Sequence, residues 1–237
     1  MTRLELAKQD AKVLVNIRFP QCETALLAGS IVRGEGTKTS DLDIVIFDSS
    51  VQSSYRESFY YKNWPVEMYV HNLHSYQSFY SSDCERGKPS MPRMVSEGLV
   101  LMDKGKSKVL KDEANAILKA GPIQWDEETV RLKRYFLTDV LDDFIGAYDR
   151  GEEMCCALAL LEHLHEFILR MNGQWTGSSK WIIRSLKNYD SELAREFERV
   201  FDRYFQTGMK DDVIRFVEQQ IEPYGGRLFE GFSIGKK

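Results

Sequence analysis

Ala28-Gly29-Ser30, ten intervening residues, then Asp41-Leu42-Asp43-Ile44-Val45-Ile46-Phe47 is the stretch that decides how this 237-residue chain is read. From Asp41 to Phe47 the pattern has period two, so Leu42, Ile44 and Ile46 share one face of an extended strand and Asp41, Asp43, Val45 and Phe47 share the other. Side chains at i and i+2 of a strand stand about 6.5 Å apart on one face. Two carboxylates are therefore brought to a common point. Thr24 to Ala28 reads as a short buried strand, and Gly29-Ser30 turns out of it.

Outward from this segment the chain shows two compositions. On the N-terminal side, Leu4 to Ile17 carries apolar residues at helical spacing and Phe19-Pro20 ends it. On the C-terminal side, Tyr55 to Tyr61 and Val66 to His71 are rich in aromatic and β-branched residues, and Lys62 to Pro65 supplies a turn between them. These two runs predict paired antiparallel strands, with Val66, Met68 and Val70 facing one way and Glu67, Tyr69 and His71 the other. Leu99 to Met102 is a last short strand, and Lys106 to Lys119 is a charged helix running to Gly121-Pro122.

Beyond that break the pattern is helical throughout. Asp126 is placed as an N-cap, and Leu137, Val140, Leu141, Phe144, Ile145 and Tyr148 form an i, i+3, i+4, i+7 ladder. Glu152 to Met171 follows, ended by Asn172-Gly173 in the manner of a left-handed cap. Ser178 to Asn188, Ser191 to Thr207 and Asp211 to Glu222 complete a predicted bundle. The fold class predicted is α+β, with residues 1–120 as a strand-containing domain and 121–237 as a helical domain.

Composition removes several function classes. Lys plus Arg number 32 against 36 Asp plus Glu, a formal charge of −4. Such a balance lacks the basic excess by which nucleic-acid binders displace counterions, so no nucleic-acid partner is expected. At 43% hydrophobic and 12% aromatic residues the chain can bury a real core. The longest uncharged apolar run, Met154 to Leu161, is far short of the ~20 residues that span a bilayer. Met1 to Lys8 mixes both charges through its apolar positions, unlike a signal peptide, so a cytoplasmic location is expected. Cys22, Cys84, Cys155 and Cys156 match no zinc spacing or disulfide framework and are expected to be buried thiols.

Chemistry concentrates around Gly29 to Asp43. Mg²⁺ prefers hard oxygen ligands and usually takes one or two carboxylates together with substrate phosphates. A paired-Asp strand beside a small-residue turn therefore suits a metal-bound nucleoside triphosphate. Gly29 lets the backbone approach a phosphate closely, and the Ser30 hydroxyl with neighbouring N–H groups is suited to the terminal phosphates. Glu67, outward on a later strand, is the natural third carboxylate. Alternating acids on a half-exposed strand most often only face water. The upstream Gly-Ser and the later acid are what make this set specific.

Those residues resemble the signature of the DNA polymerase β-like nucleotidyltransferase superfamily over roughly Leu4 to Asp103. The helical half, with Gly177-Ser178-Ser179-Lys180-Trp181 and Arg184-Ser185-Leu186, is similar to the C-terminal domains of bacterial aminoglycoside and lincosamide nucleotidyltransferases. The resemblance implies a mixed β-sheet flanked by helices in the first domain. It implies that Asp41, Asp43 and Glu67 are catalytic and bind one or two Mg²⁺ ions, and that Gly29 and Ser30 hold the triphosphate. It also favours nucleotide binding by Lys180 over an ordinary surface role.

The reaction implied is transfer of a nucleoside monophosphate, with AMP from ATP as the first expectation, to a hydroxyl of a small molecule such as an aminoglycoside or lincosamide antibiotic. Pyrophosphate is released. An alcohol needs a base, and Glu67, Asp139, Asp142 and Asp143 are all candidates. The three aspartates read equally well as a solvated acidic face. Arg33 is a weaker phosphate candidate than Lys180. His71 shares the strand face of Glu67 and is a candidate to line the site, whereas His163 and His165 read as packing or surface residues. Trp64, Trp175 and Trp181 have the rings to stack on a base, with core packing as their default. Two alternatives stay open: a non-catalytic nucleotide-binding regulatory module, and a nucleotidyltransferase that modifies a protein hydroxyl.

Overall fold

Helix α1, Arg3–Arg18, begins for a local reason. The Thr2 hydroxyl accepts from the Glu5 N–H at 3.2 Å while the Glu5 carboxylate accepts from the Thr2 N–H at 2.6 Å, a reciprocal capping box. The computed structural model describes residues 2–235 and divides into two compact units, Met1–Gly121 and Pro122–Lys237.

In the first unit α1 leads into strand β1, Thr24–Ala28, and a single helical turn α2, Gly29–Val32. Strand β2, Leu42–Phe47, then runs back antiparallel to β1. Strands β3, Tyr55–Tyr61, and β4, Trp64–His71, form the expected hairpin. Its turn is shorter than the sequence suggests: Tyr61 pairs with Trp64, leaving only Lys62 and Asn63, and Lys62 takes the left-handed conformation at φ 52°. Helices α3, Tyr76–Arg86, and α4, Ser90–Glu97, precede β5, Leu99–Asp103, and α5, Ser107–Ala120. The sheet order is β3-β4-β2-β1-β5, and β2 and β4 are its parallel pair. It is thus the mixed sheet flanked by helices that was expected.

Period-two patterning explains the layers. Leu42, Ile44 and Ile46 of β2 and Val66, Met68 and Val70 of β4 enter one core with Ala7, Ala11, Leu14 and Val15 of α1. The opposite faces put Val45 and Phe47 into a second core with Tyr76, Tyr80, Met91, Val95 and Leu110 from α3, α4 and α5. At the hairpin end Asp10 of α1 is buried, accepting from the Trp64 indole N–H at 3.0 Å and pairing with the Lys62 ammonium. Removing either donor would leave one oxygen of a buried carboxylate unpaired.

The second unit contains α6, Glu127–Gly146, α7, Arg150–Met171, α8, Lys180–Tyr189, α9, Ser191–Thr207, and α10, Asp211–Ile221. Asp126, Asp149 and Asp190 cap α6, α7 and α9 through their carboxylates. Leu137, Leu141 and Phe144 of the predicted ladder pack with Leu160, Leu164, Phe167, Phe197, Tyr204 and Phe216 in one core. Tyr148, last of that ladder, is exposed, because the helix ends at Gly146.

Of the thiols only Cys22 is buried; Cys84 and Cys156 are half-buried and Cys155 is exposed, so the buried-thiol expectation fails for three of four. Among the described residues, no helix is long and apolar enough to cross a membrane.

Candidate active site

The parallel pairing of β2 with β4 sets Asp43 directly opposite Glu67. Asp41 lies one residue before β2. One oxygen from each of Asp41, Asp43 and Glu67 lies within 4.8 Å of the other two, and all three residues are half-buried. Three hard oxygen donors converging at that spacing fit a divalent cation such as Mg²⁺, which would supply charge neutralisation at a phosphoryl centre and at its leaving oxygen.

The electrostatics agree with that donor set. Burial, followed by the neighbouring carboxylates of Asp41 and Glu67, pushes the Asp43 carboxyl up to about 6; Arg33 and Arg56 oppose the shift. A half-buried carboxyl held beside two others behaves in this way. For Glu67 burial acts upward too, but hydrogen bonds from Tyr69 and Arg56 outweigh it and the net shift is downward.

Gly29 and Asp43 are matched to each other. Gly29 has φ +79°, and a β-carbon there would stand 1.8 Å from Asp43 Oδ2. Only glycine meets both conditions. The chain then passes through the loop that Ser30 and Ser40 close: the Ser30 hydroxyl donates to Ser40 Oγ at 3.1 Å, and that same oxygen accepts from the Thr37 N–H at 2.9 Å. This clasp holds the residue before Asp41 next to the end of β1. Arg33 of the loop is ion-paired with Glu35 and with Glu97, each at 3.2 Å.

Two residues absent from the sequence-derived set touch it. The Tyr69 hydroxyl donates to Glu67 Oε2 at 2.7 Å, and Arg56 pairs with Glu67 Oε1 at 2.5 Å while lying 5.0 Å over the Tyr69 ring. Tyr69 carried a signal, being two residues from Glu67 on the same strand face. Arg56 carried none, because its proximity depends on the β3–β4 register, which sets it opposite Tyr69.

Other candidates lie elsewhere. His71 is on the Glu67 face of β4 but four residues on, about 13 Å along the strand, opposite Phe47. There its Nδ1 is 3.0 Å from Ser54 Oγ and its ring meets Phe79 edge-on. It does not line the acid cluster. Trp64 is a core residue, as its hydrogen bond to Asp10 shows. In the second unit Lys180 is exposed at the first position of α8, after Ser179 at φ 53°. The buried His165, with Nε2 3.0 Å from the Gly177 carbonyl, fixes that approach to α8. Asp139, Asp142 and Asp143 are exposed on α6, and Asp142 pairs with Arg227 at 2.8 Å. Trp181 lies beneath the Arg184 guanidinium at 5.3 Å.

No family model matches this chain, and no curated protein does. Among solved structures it is similar to a nucleotidyltransferase-like protein from Exiguobacterium sibiricum 255-15, with 11% identity and a TM-score of 0.45, over 91% of this chain and 74% of that one.

Proposed function

We propose that this chain is a metal-dependent nucleotidyltransferase that moves a nucleoside monophosphate, AMP from ATP in the first instance, onto a hydroxyl of a small molecule, with release of pyrophosphate. The reading rests on one observation above the others: Asp41, Asp43 and Glu67 present oxygens within 4.8 Å of one another beside a glycine that admits no side chain. Within it, Asp41, Asp43 and Glu67 are the ligands for Mg²⁺. Gly29 and Ser30 hold the phosphates, and Lys180 of the second unit is the further nucleotide-binding candidate. Aminoglycosides and lincosamides are the acceptors to try first, since both carry free hydroxyls and the chain's acidic balance favours a cationic acceptor.

The base that takes the acceptor proton is Glu67 or one of Asp139, Asp142 and Asp143. Glu67 is held by two donors, which suits a ligand better than a mobile base.

The test is direct. The purified chain is incubated with Mg²⁺, each α-labelled ribonucleotide and a panel of aminoglycosides, lincosamides and proteins. Label on a small acceptor, absent without divalent cation and absent in Asp41→Asn and Asp43→Asn, supports the proposal. Label on protein moves the reading to a protein-modifying enzyme. Nucleotide binding without label transfer or pyrophosphate release moves it to a regulatory module.

A further inference from the structure

Among the described residues of the acid cluster, Glu67 is the one with an ion pair. Arg56 Nη2 is 2.5 Å from its Oε1, and the other oxygen accepts from Tyr69 at 2.7 Å. A carboxylate oxygen has two acceptor sites, so a metal ion can share either atom. The two donors differ in what they do to that ion. Tyr69 brings a neutral dipole, whereas Arg56 brings a full positive charge against the same carboxylate. Arg56 sits on β3, the edge strand of the sheet, with 56% of its side chain exposed. Its guanidinium is stacked over the Tyr69 ring at 5.0 Å.

We infer that Arg56 is a placeholder cation: it neutralises Glu67 when the site holds no metal and suppresses binding of a divalent cation that arrives without nucleotide. This rests on the metal-centre reading of Asp41, Asp43 and Glu67 and adds to it a control on when the metal binds. The physical reasoning is that two cations sharing one carboxylate stand within a few ångströms of each other and repel, so each weakens the other's pairing. A metal bound alone must expel or repel Arg56, whereas a metal bound with a triphosphate brings anionic oxygens that offset the repulsion. Arg56 is a positioning residue in this account, acting through Glu67.

Binding of Mn²⁺ to the full chain, followed by calorimetry without nucleotide, tests it. Arg56→Gln keeps a hydrogen-bond donor and removes the charge, and it is expected to bind Mn²⁺ about three- to tenfold more tightly than wild type. Arg56→Lys keeps the charge and is expected to remain within about twofold. With EDTA, Arg56→Gln is expected to melt at a lower temperature than wild type, since three carboxylates then face one another with less compensation. Mn²⁺ is expected to raise its melting temperature by more than it raises that of wild type. A merely structural role for Arg56 would weaken Mn²⁺ binding on substitution. Binding by wild type that is unchanged or weakened in Arg56→Gln overturns this inference alone. Absence of Mn²⁺ binding in wild type and Arg56→Gln alike overturns the metal-centre reading and this inference together.

Discussion

The backbone of Gly29 lies against the carboxylate of Asp43, so closely that a β-carbon on Gly29 would be 1.8 Å from Oδ2. One turn of chain and one metal-ligand candidate thus share a space that no side chain can enter. Gly29→Ala must both strain a φ of +79° and displace the carboxylate. It is expected to destabilise the fold by about 1–3 kcal/mol and to lower nucleotidyl transfer by at least about tenfold. Urea denaturation and a label-transfer assay on the same preparation check both. Wild-type stability in Gly29→Ala would contradict the packing described.

Asp43→Asn separates function from stability. Burial first and the Asp41 and Glu67 carboxylates second push the Asp43 carboxyl up to about 6, so folding disfavours its charged form. Removing the charge is expected to raise the melting temperature in EDTA by a few degrees, on the order of 1–2 kcal/mol. The same substitution is expected to reduce transfer by at least about a thousandfold and to abolish stabilisation by Mn²⁺. A variant less stable than wild type in EDTA would show that the cluster is not repulsive.

Lys180 is exposed at the start of α8, so its replacement should leave the fold alone. Lys180→Ala is expected to change stability by less than about 0.5 kcal/mol. If its ammonium meets phosphate, KM for the nucleotide rises about tenfold. Steady-state kinetics at varied nucleotide decide the matter, and an unaltered KM removes Lys180 from the nucleotide site.

His71 gives a pH dependence independent of the acid cluster. Burial alone lowers its pKa to about 4 from 6.5, and Nε2 is buried without a hydrogen-bond partner. The folded-state value is depressed, so the neutral ring's contribution is fully present above pH 6.5. It is lost as pH falls toward 4. The loss across that window is on the order of 3 kcal/mol. Chemical denaturation at pH 7 and pH 4.5 is expected to show a smaller difference for His71→Gln than for wild type. Equal differences in the two proteins would mean that His71 does not set it.

Much of this site was legible because strand geometry is local. The two-residue spacing of Asp41 and Asp43 puts their carboxylates on one face, and the same alternation assigns Glu67 outward and Val66, Met68 and Val70 inward, as the cores show. The helices of the second half announced themselves through apolar spacing, and α6 also through its Asp126 cap. Helices α3 and α4 did not. Tyr76–Arg86 is mostly polar with a weak apolar stripe, and Ser90–Glu97 carries Pro92 in its first turn. These helices are held by packing of Tyr76, Tyr80, Met91 and Val95 against the sheet, which overrides weak local preference.

By itself, then, the sequence determined the faces and the turn at Gly29, which depend on neighbours two to four residues away, and the three acids as a candidate set, which rests on residue type and strand alternation. Only the tertiary structure decided that β2 and β4 run parallel with Asp43 opposite Glu67, that Gly29 packs on Asp43, and that Arg56 reaches Glu67. Strand order and register are set by the burial of whole faces against distant helices, and a shift of one residue would have turned Glu67 into the core and Met68 out of it.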